Sequence, residues 1–301
     1  MSADHPKENL TALARFFPQG RLFGLVRDQW LLILAAINLL FLGVETWLVH
    51  VMNGTIRTNE WIPILFGPVA GCLLIFIGAI AQRYRKRAAA LATIVFIACV
   101  VVGVLGAYFH GFRGLLSNAS FTENLDLAVF APPLLAPLAF VLVAVWGVSA
   151  AWEESPSNSG RLLLPWGNSI QLPYPKSNAL YYMVAVGVLI AFLSSVFDHA
   201  RAGFESRWFW LPVAVSLFAL VVSIAMGFIE RPTLGEKQVF ALGMVLLVVV
   251  GVIGSVLHIR LDVTDQFVFV LERFLRGAPP VAPMLFANFG LLGLVVLTKA
   301  D

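Results

Sequence analysis

Cysteine and charge are both scarce in this sequence. The two cysteines, Cys72 and Cys99, fall inside apolar runs. That excludes a disulfide framework and reads both as small buried residues. Charged residues are 12% of the chain, against roughly 25% in soluble domains. The Lys and Arg residues form no face or stripe and the net charge is only +3, which argues against a nucleic-acid partner. Residues 1–29 carry no short apolar core with a cleavage site, so they do not read as a signal peptide. There is no Walker motif, dinucleotide fingerprint, His-Glu-x-x-His or Gly-x-Ser-x-Gly. The seventh apolar run has no lysine for a retinal Schiff base, and no sizeable soluble domain is left to do chemistry outside a membrane.

What is abundant is apolar sequence. The 301 residues are 59% hydrophobic, more than a soluble fold of this length can hide and what a bilayer demands. Apolar runs at 30–52, 62–82, 88–110, 128–151, 178–198, 208–229, 238–258 and 280–298 predict eight spanning helices. With the N-terminus cytoplasmic, 13 Lys and Arg fall on the inner side and 7 on the outer. The cluster Arg83, Arg85, Lys86, Arg87 is the strongest contributor. Both termini are expected in the cytoplasm of a multi-pass protein, of the bacterial inner membrane type. Leu10 to Val26, with Arg15 and Arg21 among Leu and Phe, reads as a segment lying on the membrane surface.

The chain repeats itself. Val101-Val102-Gly103-Val104-Leu105-Gly106 leads to His110, and Val249-Val250-Gly251-Val252-Ile253-Gly254 leads to His258. Ala131-Pro132-Pro133 with Pro137 follows the first, and Ala278-Pro279-Pro280 with Pro283 the second. Glu45 to His50 stands against Ser194 to His199, and Trp61-Ile62-Pro63 against Trp210-Leu211-Pro212. The expected fold is therefore an all-α integral membrane protein of two parallel four-helix repeats. Residues 1–29 form an N-terminal segment, 30–152 the first repeat, 153–177 a Pro-, Ser-, Asn- and Gly-containing cytoplasmic linker, and 178–301 the second repeat.

Four of the five histidines, His50, His110, His199 and His258, fall near the outer ends of odd-numbered spans. Ionisable groups at this depth are costly enough to suggest function. Two arrangements follow. In the first, His50 with His110 and His199 with His258 each ligate a b-type haem across the diagonal of a four-helix unit. Gly106 and Gly254 would then give the macrocycle a bare surface, an alternative to close helix packing. Arg57, Arg113, Arg201 and Arg260 would stand near propionates. In the second, the four histidines share a Cu, Fe or Zn ion with Glu45 and Asp198. Glu45 would act as base or proton relay, and Asp198 would ligate or orient an imidazole. In layout (eight spans, two halves, one His pair per half) the chain resembles the haem A synthase family. That family's histidines open even-numbered helices and precede Arg, so neither its activity nor its residues carry over.

The expected function is that of a haem- or metal-binding membrane redox protein, an oxidoreductase if an enzyme, with its site at the outer face. A quinone or another redox partner would react there, and other membrane subunits would be neighbours. The alternatives are a non-haem metal-dependent membrane enzyme, a transporter, or a structural subunit of a larger complex. Trp47, Trp61, Trp208, Trp210 and Tyr108 at the same face read as interfacial anchors.

Overall fold

The structure, a computed structural model, describes residues 25–52, 54, 56–81, 83–114, 136–263, 270, 277–278 and 281–298, with backbone alone at 52 and 112–114. The expected surface segment at 10–26 and most of the two outer loops lie outside the described residues.

Eight α-helices carry the described chain: α1 Arg27–Met52, α2 Trp61–Ala81, α3 Arg85–Gly114, α4 Leu138–Ala151, α5 Lys176–Arg201, α6 Trp210–Phe228, α7 Leu234–Asp262 and α8 Met284–Val296. A helix satisfies its backbone internally, as hydrocarbon requires. Local sequence sets the ends. Thr233 and Glu236 cap α7 reciprocally: the Thr233 N–H donates to Glu236 Oε2 at 2.6 Å, and the Glu236 N–H to Thr233 Oγ1 at 3.4 Å. Pro63 and Pro212 sit in the first turns of α2 and α6, where a missing N–H costs nothing.

Six helices, α1 to α3 and α5 to α7, are long and apolar enough to cross a membrane. Their outer faces expose large apolar side chains such as Leu65, Phe76, Ile94, Val221 and Phe228. Such a surface is stable against lipid, so this is an all-α membrane protein. Within the runs expected at 128–151 and 280–298, the described helices are short. α4 has 14 residues and α8 has 13, or about 20 Å each at 1.5 Å per residue, against a hydrocarbon thickness of about 30 Å. Pro137 and Pro283 are the N-caps of the two helices.

Neighbouring helices run antiparallel. A Cβ on Gly103 would meet Val141, one on Gly71 would meet Leu40, and Asn178 Nδ2 donates to the carbonyls of Gly227 and Ile229 at 2.9 and 3.0 Å. α1 packs on α2 and α4, and α3 on the same two, so α1 and α3 face each other across a diagonal. α5 and α7 do so likewise between α6 and α8. These two halves meet through α1 with α8 and through α4 with α5. At mid-helix, the Asn38 and Asn288 side chains exchange hydrogen bonds of 3.0 and 2.6 Å across that boundary. Trp146 packs edge-on to Phe289, ring centres 5.6 Å apart, within one continuous core.

The linker between the halves is more ordered than its composition suggests. Glu153–Glu154, Arg161–Leu163 and Ser169–Gln171 form three short antiparallel strands, β1 to β3, in the order β1-β2-β3. Glu154 Oε1 accepts from the Gly160 and Lys176 N–H groups at 2.8 and 2.9 Å, which ties the sheet to the start of α5. Beneath it lies a buried ionic group. Lys176 Nζ, 1% exposed, donates to Asp28 Oδ2 at 2.7 Å and to the Trp152 carbonyl at 3.0 Å. Arg27 Nη1 donates to Ser177 Oγ at 2.8 Å. Arg27 Nε and Asp28 Oδ1 are 3.6 Å apart, a charge contact too long for a hydrogen bond.

Of the cysteines, Cys99 is in the core as expected, whereas Cys72 lies on the exposed face of α2; both are free.

Candidate functional site

Because adjacent helices are antiparallel, the C-terminal ends of α1, α3, α5 and α7 share one end of the bundle. All four candidate histidines are there, each half-buried. Trp47, Trp61, Trp208, Trp210 and Tyr108 are exposed at the same end, as an interfacial belt requires.

The histidines come together in pairs. His50 on α1 and His110 on α3 face each other across the diagonal of the first half, ring centres 6.3 Å apart and planes at 52°. The His50 Nδ1–H donates to the Thr46 carbonyl at 2.7 Å. A carbonyl only accepts, so Nδ1 carries a proton, and in the neutral ring the lone pair is on Nε2. In the second half His258 lies within reach of the charges of His199 and Asp198. His199 Nδ1 hydrogen-bonds Ser195 Oγ at 3.2 Å, and its ring stacks on Phe209 with centres 4.5 Å apart and planes at 12°.

The 6.3 Å separation has chemical content. An imidazole nitrogen lies about 2.0–2.1 Å from a bound first-row ion, and its ring centre roughly 1.1 Å further away. Two imidazoles on opposite sides of one ion thus have centres about 6.3 Å apart, and two in a tetrahedral shell about 5.1 Å. The ring centres of the first pair fall at the wider of these two spacings. Among the described residues, no group of three or more His, Cys, Asp or Glu side chains is arranged to hold a metal. A single centre of four histidines with Glu45 and Asp198 is therefore not assembled there.

Glu45 lies five residues before His50, about 140° round the helix, so it does not share the His50 face. Its side chain is exposed on α1. It stands one heptad above Asn38, on the face where the two halves meet. Asp198 is similarly open, half exposed although one heptad above the buried Ala191, and is paired with Arg201 at 3.7 Å. Arg57 and Arg260 are exposed; the Arg113 side chain lies outside the described residues.

Gly106 and Gly254 are used for packing. A Cβ on Gly106 would lie 2.7 Å from Pro137 Cβ, and one on Gly254 2.7 Å from Pro283 Cβ. The space expected for a macrocycle surface is taken by the N-caps of α4 and α8. Gly106→Ala and Gly254→Ala are each expected to destabilise the protein by about 1–3 kcal/mol through overpacking, read as earlier thermal unfolding in detergent. A variant of unchanged stability that lost a cofactor would restore the surface role.

Sequence patterning missed two residues here. Asp262 and Ser255 flank His258 on the buried face of α7, at 3% and 9% exposure. Asp262 lies beyond the apolar run 238–258, and Ser255 is a single small polar residue within it. No family model, curated protein or solved structure matches this chain.

Proposed function

We propose that this protein is a membrane redox protein that binds a b-type haem between His50 and His110. The observation that carries this reading is the 6.3 Å spacing of the two rings on diagonally opposed helices. Two imidazoles at that spacing could hold an iron between them, with the place beside Gly106 filled by Pro137. The haem would supply one-electron chemistry; the protein supplies two imidazoles, the His50 tautomer, and burial between four helices.

The chain is read as eight passes in two parallel four-helix repeats, with the linker end cytoplasmic and the histidines outside. Matching pairs in matching places support the repeat. His50 and His199 are 149 positions apart, as are Arg27 and Lys176, while His110 and His258 are 148 apart. Gly103 and Gly106 close on Pro137 as Gly251 and Gly254 close on Pro283. The Lys and Arg excess on the linker side supports the orientation. His199 and His258 would form a second centre at the same depth, for a cofactor or a substrate.

The test is an absorption spectrum of the purified full chain, oxidised and then dithionite-reduced, with elemental analysis of the same sample. A Soret band with sharp reduced bands and stoichiometric iron is the expected result. A colourless protein carrying stoichiometric Cu or Zn would overturn haem in favour of an ion. A folded protein with neither would end the redox reading.

A further inference from the structure

The two halves differ where a strict repeat would match. Ser255 and Asp262 of α7 correspond, 148 positions earlier, to Ala107 and Gly114 of α3. The first half thus offers only its imidazoles, whereas the second adds a hydroxyl and a carboxyl. Both are more than nine-tenths buried, and neither Ser255 Oγ nor Asp262 Oδ2 has a hydrogen-bond partner among the described residues. The other Asp262 oxygen, Oδ1, accepts from the Ala278 N–H at 3.1 Å, which holds the carboxyl in place. Residues 255, 258 and 262 share one helix face, and that face carries His258 toward His199. A buried polar atom left without a partner costs about 1–3 kcal/mol; two beside one histidine mark a place where a ligand's polar groups complete the bonding.

We propose that the second half is a binding site for a lipid-soluble quinone and its hydroquinone, with Asp262 and Ser255 holding the ring oxygens. Three features select that class. The site lies at the edge of the apolar layer, which a lipid-soluble ligand reaches without leaving the membrane. A carboxylate accepts from a hydroxyl and a carboxylic acid donates to a carbonyl, while Ser255 does either, so the pair serves both redox forms. Aromatic rings stand at the same end of this half, where His199 stacks on Phe209 and Phe204 lies 4.8 Å from Trp210. A haem at this second centre would set its propionates near Asp262 and Asp198, both acidic.

The redox step rests on the haem reading above; the binding site does not. The hydroquinone gives up two electrons and two protons and becomes the quinone. A haem held by His50 and His110 would supply the one-electron relay, and a soluble one-electron acceptor would take up both electrons in turn. One O–H proton passes to the Asp262 carboxylate, and the other is released to water at the outer face.

The experiment is equilibrium binding of radiolabelled decylubiquinone to the full chain in lipid nanodiscs, corrected with empty discs. The same discs are assayed for reduction by decylubiquinol. Saturable binding is expected, weakened about tenfold or more in Asp262→Asn and in Ser255→Ala, the loss of one ring-oxygen hydrogen bond. Dithionite-reduced bands should persist in both variants. Ser255→Ala removes a single atom and serves if Asp262→Asn does not fold. Absence of saturable binding, or an unchanged affinity in Ser255→Ala with either Asp262→Asn or Asp262→Ala, overturns the site. A chain without a Soret band that still binds quinone through Asp262 and Ser255 overturns the haem reading and leaves the site standing. A haem-loaded chain that binds no quinone does the reverse.

Discussion

In a His110→Ala variant the Soret and reduced bands of the purified protein are expected to fall by more than about tenfold. Loss of a hydrogen bond behind a ligand already costs about 10–100-fold in metal affinity, and here the ligand itself is removed. His50→Ala should do the same, because neither ring of a trans pair substitutes for the other. His258→Ala is the informative control. It stands at the matching position of the second half but across from Asp198 and beside Asp262, and it should leave the haem bands in place while impairing quinone binding. The fold of each variant is checked by size exclusion in detergent. Bands lost equally in His110→Ala and His258→Ala would mean two haems, one per half. Bands retained in His110→Ala would mean that the 6.3 Å spacing is not a ligand spacing.

How far the sequence discloses this molecule depends on the scale of the question. The six long helices are legible because hydrocarbon imposes one rule, apolar length, and runs such as 88–110 and 238–258 obey it throughout. α4 and α8, at 14 and 13 residues, cover only part of the apolar runs around them, which extend into residues outside those described. The diagonal pairing of His50 with His110 follows from four helices folded up and down, and periodicity alone indicates it. The spacing already sets Glu45 about 140° round the helix from His50, but which side of α1 meets the other half does not follow from it. The reverse happens at Asp262, which lies past the apolar run 238–258, and whose burial depends on how the C-terminal end of α7 packs. Gly106 and Gly254 had two uses consistent with their spacing. Only the position of the proline N-caps decides between them.

The other large effect is expected at the opposite end of the molecule. Lys176→Met leaves Asp28 buried with Arg27 Nε 3.6 Å away as its remaining cation, and Asp28→Leu leaves Arg27 and Lys176 buried with no anion between them. Breaking a buried pair by removing one partner costs about 3–5 kcal/mol, because the survivor is an uncompensated charge. Each single variant should therefore unfold much earlier in detergent than the parent. The double variant Asp28→Leu/Lys176→Met removes one charge of each sign, keeps the net charge of the group unchanged, and fills the space with apolar atoms. It should recover most of the loss. The consequence reaches beyond stability. Lys176 opens α5 and Asp28 lies in the first turn of α1, so their bond joins the starts of the two helices that carry His199 and His50. With Arg27 reaching Ser177 in the other direction, two crossed bonds fix how the halves meet. A double-mutant cycle on thermal unfolding measures the coupling. Additive losses in the double variant would show that Lys176 and Asp28 act independently, and that the halves are held by the shared core around Trp146 and Phe289 without help from the charges.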